Sequence, residues 1–435
     1  MSKWIHGFLD DVTSYQKAGG TPSVSNPAFY DGDIPFVLIE DMTNSYRFLT
    51  KTGKTLTLEG LNNSSAWLVP KEHILYSMYA TVGKPVINKI DCATNQAIIA
   101  LKANDKVHDN YLFYWLEYIK PSVWRYTTQT TQSNLNAGIV RRLPISYPEN
   151  KSIQERISQI LILVDDAIEK TQCLIRKYKK IKNGMMLDLL TRGVNASGEL
   201  RDGYRSAPHL YKMSSLGYIP KNWSVVKLEE LLSPIANNFR SGPFGSALLK
   251  SELVEKGIPF LGIDNIHVEY FDNTFRRFVS ERKFNELLKY AVRPRDVVIT
   301  IMGTVGRAAV IPSDIERALS SKHLWTMTFN ESLIVPELVC WQLNHAPWVK
   351  AWFRKETQGG IMDAIQSKTL RSLELPLPGK EEQLQLYEKY SLVTKKLKTE
   401  EISLKKLIKE KNGLMHDLLT GKVPVHSKDT EAPHV

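Results

Sequence analysis

Apolar and polar positions follow two textures along the chain. Over residues 1–150, short β-branched and aromatic runs (Phe36-Val37-Leu38-Ile39, Ala66-Trp67-Leu68-Val69, Ile74-Leu75-Tyr76 and Ala97-Ile98-Ile99-Ala100-Leu101) stand between Gly, Asn and Pro turns and predict strands. One helix is predicted over residues 109–119, where Leu112, Trp115, Leu116 and Ile119 recur at helical spacing. Residues 223–378 repeat this texture, with Val297-Val298-Ile299-Thr300-Ile301 as the clearest strand and a matching helix over residues 336–344. Each stretch ends on prolines (Pro144 and Pro148; Pro376 and Pro378) and hands over to a long segment without proline. Proline disfavours helix in the residue before it and so marks a boundary. Ser152-x-x-Glu155 has the form of a capping box just past the first boundary. Each proline-free segment predicts a helix of roughly 38 to 40 residues, about 60 Å at 1.5 Å per residue.

The two long segments share one apolar seam. The first reads Ile157, Leu161, Val164, Ile168, Thr171, Ile175, Tyr178, Lys182, Met185, Leu189; the second reads Leu386, Tyr390, Val393, Leu397, Glu400, Leu404, Leu407, Lys411, Leu414, Leu418. Both keep a 4-3 alternation and break it with a polar residue at the same two places, which is the signature of a coiled-coil seam. A helix buried in its own globule has no need for interruptions registered with those of a distant helix. The two are therefore expected to pack on each other, antiparallel, with Thr171, Lys182, Glu400 and Lys411 helping to fix register.

The seams belong to a longer repeat. Residues 182–191 (KNGMMLDLLT) return as 411–420 (KNGLMHDLLT), 229 positions later. Earlier echoes include Ile34-Pro35-Phe36 with Ile258-Pro259-Phe260, Thr81-Val82-Gly83-Lys84 with Thr304-Val305-Gly306-Arg307, and Arg125 with Arg354. Two copies of a unit of about 200 residues are too few and too large for a solenoid. They indicate one molecule with approximate two-fold symmetry: a globule over 1–150, a helix over 151–192, a linker over 193–222, a second globule over 223–378, a second helix over 379–424, and a tail over 425–435. Gly184 and Gly413 fall inside the last turns of the two helices, where glycine costs about 1 kcal/mol against alanine, so a close backbone approach or a helix break is expected there.

Composition narrows the class. Apolar content of 43% and charged content of 24% are ordinary for a globular protein. The run Ile160-Leu161-Ile162-Leu163-Val164 stops at Asp165-Asp166 and cannot span a bilayer. The first residues lack the apolar core of a signal peptide, and Cys92, Cys173 and Cys340 offer neither a disulfide framework nor a zinc pattern. A cytoplasmic location and no membrane partner are expected. The net charge of +11 points to a polyanion, and with dyad symmetry it points to double-stranded DNA, which offers two faces to a two-fold reader.

Four fragments imitate catalytic signatures and each is incomplete. Asn26-Pro27-Ala28-Phe29 resembles the Asn-Pro-Pro-Phe box of amino-methyltransferases, with alanine in its third position and no glycine-rich donor loop nearby. Gly53-Lys54-Thr55 lacks the glycine that a P-loop needs five residues earlier, where Phe48 stands. Asp272 with Glu281-Arg282-Lys283 has a nuclease-like spacing without a counterpart in the first globule. The ten histidines include no i, i+4 pair for zinc. No catalytic and no metal-ligating residue is therefore assigned. Candidates for DNA contact are Tyr46, Arg47, Lys84, Gln96, Arg125 and Gln129 in the first globule. In the second they are Arg240, Asn265, Arg307, Lys322, His323, Arg354 and Gln358. Arginine suits guanine edges, asparagine and glutamine suit adenine, and the backbone amides near Gly83 and Gly306 suit phosphates.

Several of these segments resemble the specificity subunit of type I restriction–modification systems, over essentially the full length. They are Gly19-Gly20-Thr21-Pro22, Ile34-Pro35-Phe36, Gly303-Thr304-Val305-Gly306, Asp188-Leu189-Leu190-Thr191-Arg192-Gly193-Val194 and Gly217-Tyr218-Ile219-Pro220-Lys221-Asn222-Trp223. The most specific is the run from Gly413 to Val423. The resemblance implies an α+β fold with two similar α/β target-recognition domains in a pseudo-two-fold arrangement, separated by two long antiparallel helices forming a coiled coil. It implies that each domain reads half of a bipartite asymmetric DNA site, and that two methyltransferase (modification) subunits and the restriction/translocase subunits are partners. S-adenosylmethionine, ATP and Mg would then serve those partners, with no cofactor in this chain. Arg240-Ser241-Gly242-Pro243 departs from the Gly-Gly-Thr-Pro of the first globule. The rival readings are a stand-alone DNA methyltransferase or nuclease, and a coiled-coil scaffold that never touches DNA.

Overall fold

The structure, a computed structural model, describes residues 3–127, 134–357 and 365–426. The chain divides into two compact units, Met1–Cys173 with Glu401–Val435, and Leu174–Glu400. Among the described residues no helix is long and apolar enough to cross a membrane.

In the first unit the central sheet runs, in spatial order, Thr13–Ala18, Ile98–Ala103, Ile74–Ser77, Pro85–Asn88, Phe48–Leu49, antiparallel except for its last pair. The second unit has the corresponding order Phe239–Arg240, Leu324–Met327, Val297–Thr300, Ala308–Val310. The apolar runs that predicted these strands are continuous, not alternating, because both faces of each sheet are covered. Successive side chains point to opposite faces. Ile74, Tyr76, Ile99 and Leu101 accordingly enter one core cluster and Leu75, Val86, Ile98 and Ala100 another. Val297 and Ile299 part in the same way from Val298 and Ala309. The predicted helices are Asp109–Ile119 and Pro336–His345, each with seven buried residues. A two-stranded ribbon closes each globule just before its long helix: Trp4–Phe8 with Pro144–Pro148, and Ser224–Lys227 with Glu374–Leu377.

The long helices are Lys151–Thr191 and Lys380–Leu419. Each begins in one unit and ends in the other, so within each unit the start of one lies with the end of the other, the sense of an antiparallel pair. Ile157, Leu161, Ile168, Ile175, Leu189, Leu386, Tyr390, Leu397 and Leu418 are buried, and Val164, Tyr178, Met185, Val393, Leu404, Leu407 and Leu414 half-buried. The seam is not closed by helices alone. Ile157 and Leu161 share a cluster with Leu418 and Leu419 and also with Tyr111, Leu112 and Trp115 of the globule. Leu189 and Leu386 share another with Trp341 and Leu338.

Three local expectations change. Asn150, not the Ser152 box, caps the first long helix, its Oδ1 accepting from the Ser152 amide at 2.9 Å. Gly184 and Gly413 sit in unbroken helix with open space where a Cβ would stand, so no backbone packs on them. The segment read as a polar linker is folded: Tyr211–Ser214 and Gly217–Pro220 form a hairpin, Val194 and Ile219 join the core beside Trp223 of the second globule, and Arg201 pairs with Glu382.

Candidate nucleic-acid interface

In both units a central strand leads into the same turn. The buried Ser77 hydroxyl donates to Thr81 O (2.5 Å) and accepts from the Lys84 amide (2.9 Å), while the Gly83 amide donates to Ser77 O (2.9 Å). In the second unit Thr300 Oγ1 donates to Thr304 O and accepts from the Arg307 amide (3.1 Å), and the Gly306 amide donates to Thr300 O (2.9 Å). Gly83 and Gly306 have φ of +82° and +90°, values that an L side chain rarely tolerates. A second contact recurs beside this turn. The Gly20 amide donates to Thr94 O (2.9 Å) and the Gly242 amide to Ser321 O (3.1 Å). Despite the different sequence around it, Gly242 does the work of Gly20. Thr94 Oγ1 and Ser321 Oγ, at matching places, are buried without a hydrogen-bond partner among the described residues.

What surrounds this shared frame differs. In the first unit Tyr79, Trp124, Arg125 and Tyr126 are exposed, the Arg125 guanidinium lying 5.6 Å from the Trp124 ring centre. A shallow cavity of about 390 Å³ runs between Thr81, Lys120, Val123 and Trp124. Gln96, also exposed, accepts from the Thr21 hydroxyl. In the second unit Phe244, Val305 and Lys322 are exposed and Arg307 and His323 half-buried. A cavity of about 210 Å³ is lined by Lys250, Phe260, Arg277, Lys322 and His323. Burial, then the charges of Lys322 and Arg277, push the His323 pKa below its ordinary value, which keeps it a neutral donor or acceptor near pH 7. Phe353 packs near Gly306, and on the same helix the exposed Arg354 donates through Nε to Lys350 O at 3.3 Å.

Five candidates are held by bonds within their own unit, three of them (Arg47, Arg240 and Asn265) buried. The Tyr46 hydroxyl donates to Asp165 Oδ1 at 2.7 Å. Arg47 is buried among Phe48, Phe113 and Tyr114 and bonds Asn110. Lys84 Nζ donates to Thr43 O and Ser45 O (2.9 and 2.7 Å), satisfying carbonyls at the end of the helix Ile39–Asn44. Arg240 is buried against Asp296, Ala291 O and Thr328. Asn265 is buried, bonding Gly262, Asp272 and Thr274 backbone groups. A side chain so committed would have to break these bonds to read a base. Gln96, Arg125, Arg307, Lys322, His323 and Arg354 border the shared frame, and Gln129 and Gln358 lie outside the described residues. The signature-like fragments have local roles. Asn26 caps the short helix Pro27–Phe29, the Gly53 amide donates to Asp41, Asp272 accepts from the Thr274 amide, and Lys283 pairs with Glu252 and Glu286.

Two sets of residues escaped the sequence reading. Gln154 Nε2 donates to Pro148 O and Lys106 O while its Oε1 accepts from the His108 amide; Gln383 does the same with Pro378 O, Leu333 O and the Val335 amide. Identity at the repeat offset was the available signal. The second set surrounds the seam lysines. Lys411 Nζ lies 2.7 Å from Asp165 and 2.8 Å from Glu117, with the Tyr46 and Tyr114 hydroxyls also on Asp165. Lys182 Nζ lies 2.9 Å from Glu269, which also takes His345 and the Tyr390 hydroxyl. Of the polar interruptions, the lysines do pin the helix ends, whereas the Thr171 hydroxyl only donates to Ala167 O of its own helix.

Residues 1–176 match the type I restriction modification DNA specificity domain. The MjaVIII specificity subunit of Methanocaldococcus jannaschii is 25% identical over 340 residues, covering 76% of this chain and 74% of its own. The EcoBI specificity subunit of Escherichia coli is 20% identical over 385 residues, covering 87% and 77%. The solved S subunit from M. genitalium superposes with a TM-score of 0.59 at 16% identity, covering 98% of this chain and 97% of that one, a likeness of fold. Over residues 1–176 by family model, and over most of its length by relatives, the chain is similar to the specificity subunits of type I restriction–modification systems.

Proposed function

We propose that this chain selects the DNA sequence for a type I restriction–modification complex, each unit gripping one half of a bipartite, asymmetric duplex site. The observation that carries the reading is the shared frame with unlike surroundings. Ser77/Thr300, Gly83/Gly306 and Gly20/Gly242 hold the same backbone geometry, while the exposed side chains around them differ, Tyr79, Trp124, Arg125 and Tyr126 in one unit and Phe244, Val305 and Lys322 in the other. A common frame suits backbone contact and differing side chains suit differing bases. The long helices set the unread gap and dock two methyltransferase subunits. Catalysis, with S-adenosylmethionine, ATP and Mg, belongs to those subunits and to the restriction subunits, in the cytoplasm.

The test is to express the chain with its methyltransferase partner and map methylated adenines. A two-part sequence with a fixed gap is expected, and Lys322→Ala should relax one half only. Methylation or cleavage by the purified chain alone would favour the enzyme reading, and a complex without DNA affinity would favour a scaffold.

A further inference from the structure

The positive charge is not where the reading heads are. Residues 1–150 carry 14 Lys and Arg against 13 Asp and Glu, and residues 223–378 carry 19 against 17. The helices, linker and tail carry 24 against 16, which is most of the net +11. On the first long helix no acidic residue occurs between Glu169 and Asp188, while Lys170, Arg176, Lys177, Lys179, Lys180 and Lys182 do.

The excess is patterned. Arg176, Lys177, Lys180, Asn183 and Gly184 fall within one face of a helix with 3.6 residues per turn, on the side away from Ile175, Tyr178, Lys182 and Met185. At the repeat offset the second helix carries Lys405, Lys406, Lys409, Asn412 and Gly413. All ten are exposed. Among the described residues only Lys406 of these six cations has a carboxylate partner, Glu410 at 3.6 Å, an exposed pair. Lys182 and Lys411, which close the same two runs, instead turn inward onto buried carboxylates. Charge on the inner side of each helix is thus neutralised, and charge on the outer side is kept twice without an internal purpose.

We infer that these two outer faces bind the phosphate backbone of duplex DNA independently of sequence, supplementing the globules. The inference rests on the DNA-reading role above. The faces hold no aromatic residue or methionine, and lysine is depleted from the cores of protein interfaces. Lysine, arginine and asparagine are the side chains that contact phosphates, and neutralising phosphates releases counterions and makes binding salt-dependent.

The test uses the full chain assembled with its methyltransferase partner. Two triple variants, Arg176→Gln/Lys177→Gln/Lys180→Gln and Lys405→Gln/Lys406→Gln/Lys409→Gln, replace exposed residues by a good helix former, and circular dichroism checks that helicity is kept. Each is expected to weaken binding to cognate and unrelated duplexes by the same factor. Each should also lower the slope of log K against log salt by roughly 0.9 for every phosphate no longer neutralised, about 2.7 for three, with the methylated sequence unchanged. An unchanged slope and affinity overturns the inference. So does weakening confined to the cognate duplex, which would mean base reading, and so does failure to assemble with the methyltransferase at undiminished DNA affinity, which would mean a protein-docking face. If the wild-type complex itself lacks salt-sensitive DNA affinity, the reading of the whole chain fails, not this surface alone.

Discussion

Replacing Lys411 by methionine removes one charge from a buried ion pair. Lys411 is 5% exposed and Asp165 2%. The carboxylate holds three donors at 2.7 Å: Lys411 Nζ and the hydroxyls of Tyr46 and Tyr114. Burial first, and then the Asp165 charge, raise the pKa of both tyrosines, so they stay neutral donors and cannot supply the missing cation. Methionine keeps most of the stem packing, leaving the electrostatic loss as the main change. Breaking a buried ion pair by removing one partner costs about 3–5 kcal/mol. The two remaining tyrosine bonds place Lys411→Met toward the lower end, about 3 kcal/mol. Adding Asp165→Asn removes the stranded charge while an amide oxygen still accepts from a tyrosine, so the double variant should recover part of the loss. A double-mutant cycle from urea denaturation, followed by tryptophan fluorescence, measures the coupling, expected within the 0.5–3 kcal/mol seen for contacting residues. A loss below about 1 kcal/mol, or no coupling, would refute the view that this pair pins the end of the second long helix.

Three further outcomes follow from the same geometry. Burial alone would raise the Glu269 pKa, but bonds from His345, Lys182 and Tyr390 outweigh it and hold the group at about 2 against an ordinary 4.5. Because the folded value is the lower one, its stabilisation is complete above about pH 4.5 and fades as pH falls toward 2. Acid titration of the urea midpoint should show that dependence, and Glu269→Gln should flatten it. Gly184→Ala and Gly413→Ala should each stabilise by about 1 kcal/mol, since a Cβ there meets nothing within 4 Å; a loss in thermal melts would reveal a contact that the helix face conceals. Gly83→Ala should cost more than Gly306→Ala. Both force an L residue to positive φ, worth roughly 1–2 kcal/mol, but the first also brings a Cβ to 2.9 Å from Val123 Cγ1 whereas the second clears Phe353 by 3.6 Å.

The repeat was the legible part of this chain because it preserves positions, and positions carry backbone geometry. Gln154 and Gln383 make the same three bonds, and Ser77 and Thr300 close the same turn. The seam was legible for the same reason, since a period of 3.5 survives whatever the helix packs on. Side-chain fate was not legible. Arg47, Arg240 and Asn265 carry the donors that a base edge requires, and those same donors satisfy buried carbonyls and carboxylates. Type and spacing are identical in the two cases; only burial separates them, and burial depends on contacts up to 88 residues away, as between Arg240 and Thr328. The hairpin of residues 211–220 was missed because four-residue strands are too short for alternation to register, and its signal is the positive φ of Gly217.

The two lysine sites show how a duplicated frame can diverge without losing its function. Lys411 finds its buried acid on the other long helix, at Asp165, with tyrosines donated by the globule. Lys182 finds its acid on the globule, at Glu269, with Tyr390 donated by the other long helix. At the repeat offset Leu161 becomes Tyr390 and Asp165 becomes Thr394, whose buried hydroxyl has no partner among the described residues. The cation stayed in place while the acid moved from helix to globule, and a tyrosine moved the opposite way. Each globule is therefore matched to its own pair of helix ends. Leu161→Tyr with Asp165→Thr would give the first unit the helix surface of the second, leaving Lys411 with Glu117 alone, a carboxylate 29% exposed. That unit should lose stability by the amount expected for a half-broken buried pair, and a new acid placed on its globule within reach of Lys411 should restore it. Rescue from the helix side only, by returning Asp165, would mean that the lysine answers to the helix pair and not to the globule it faces.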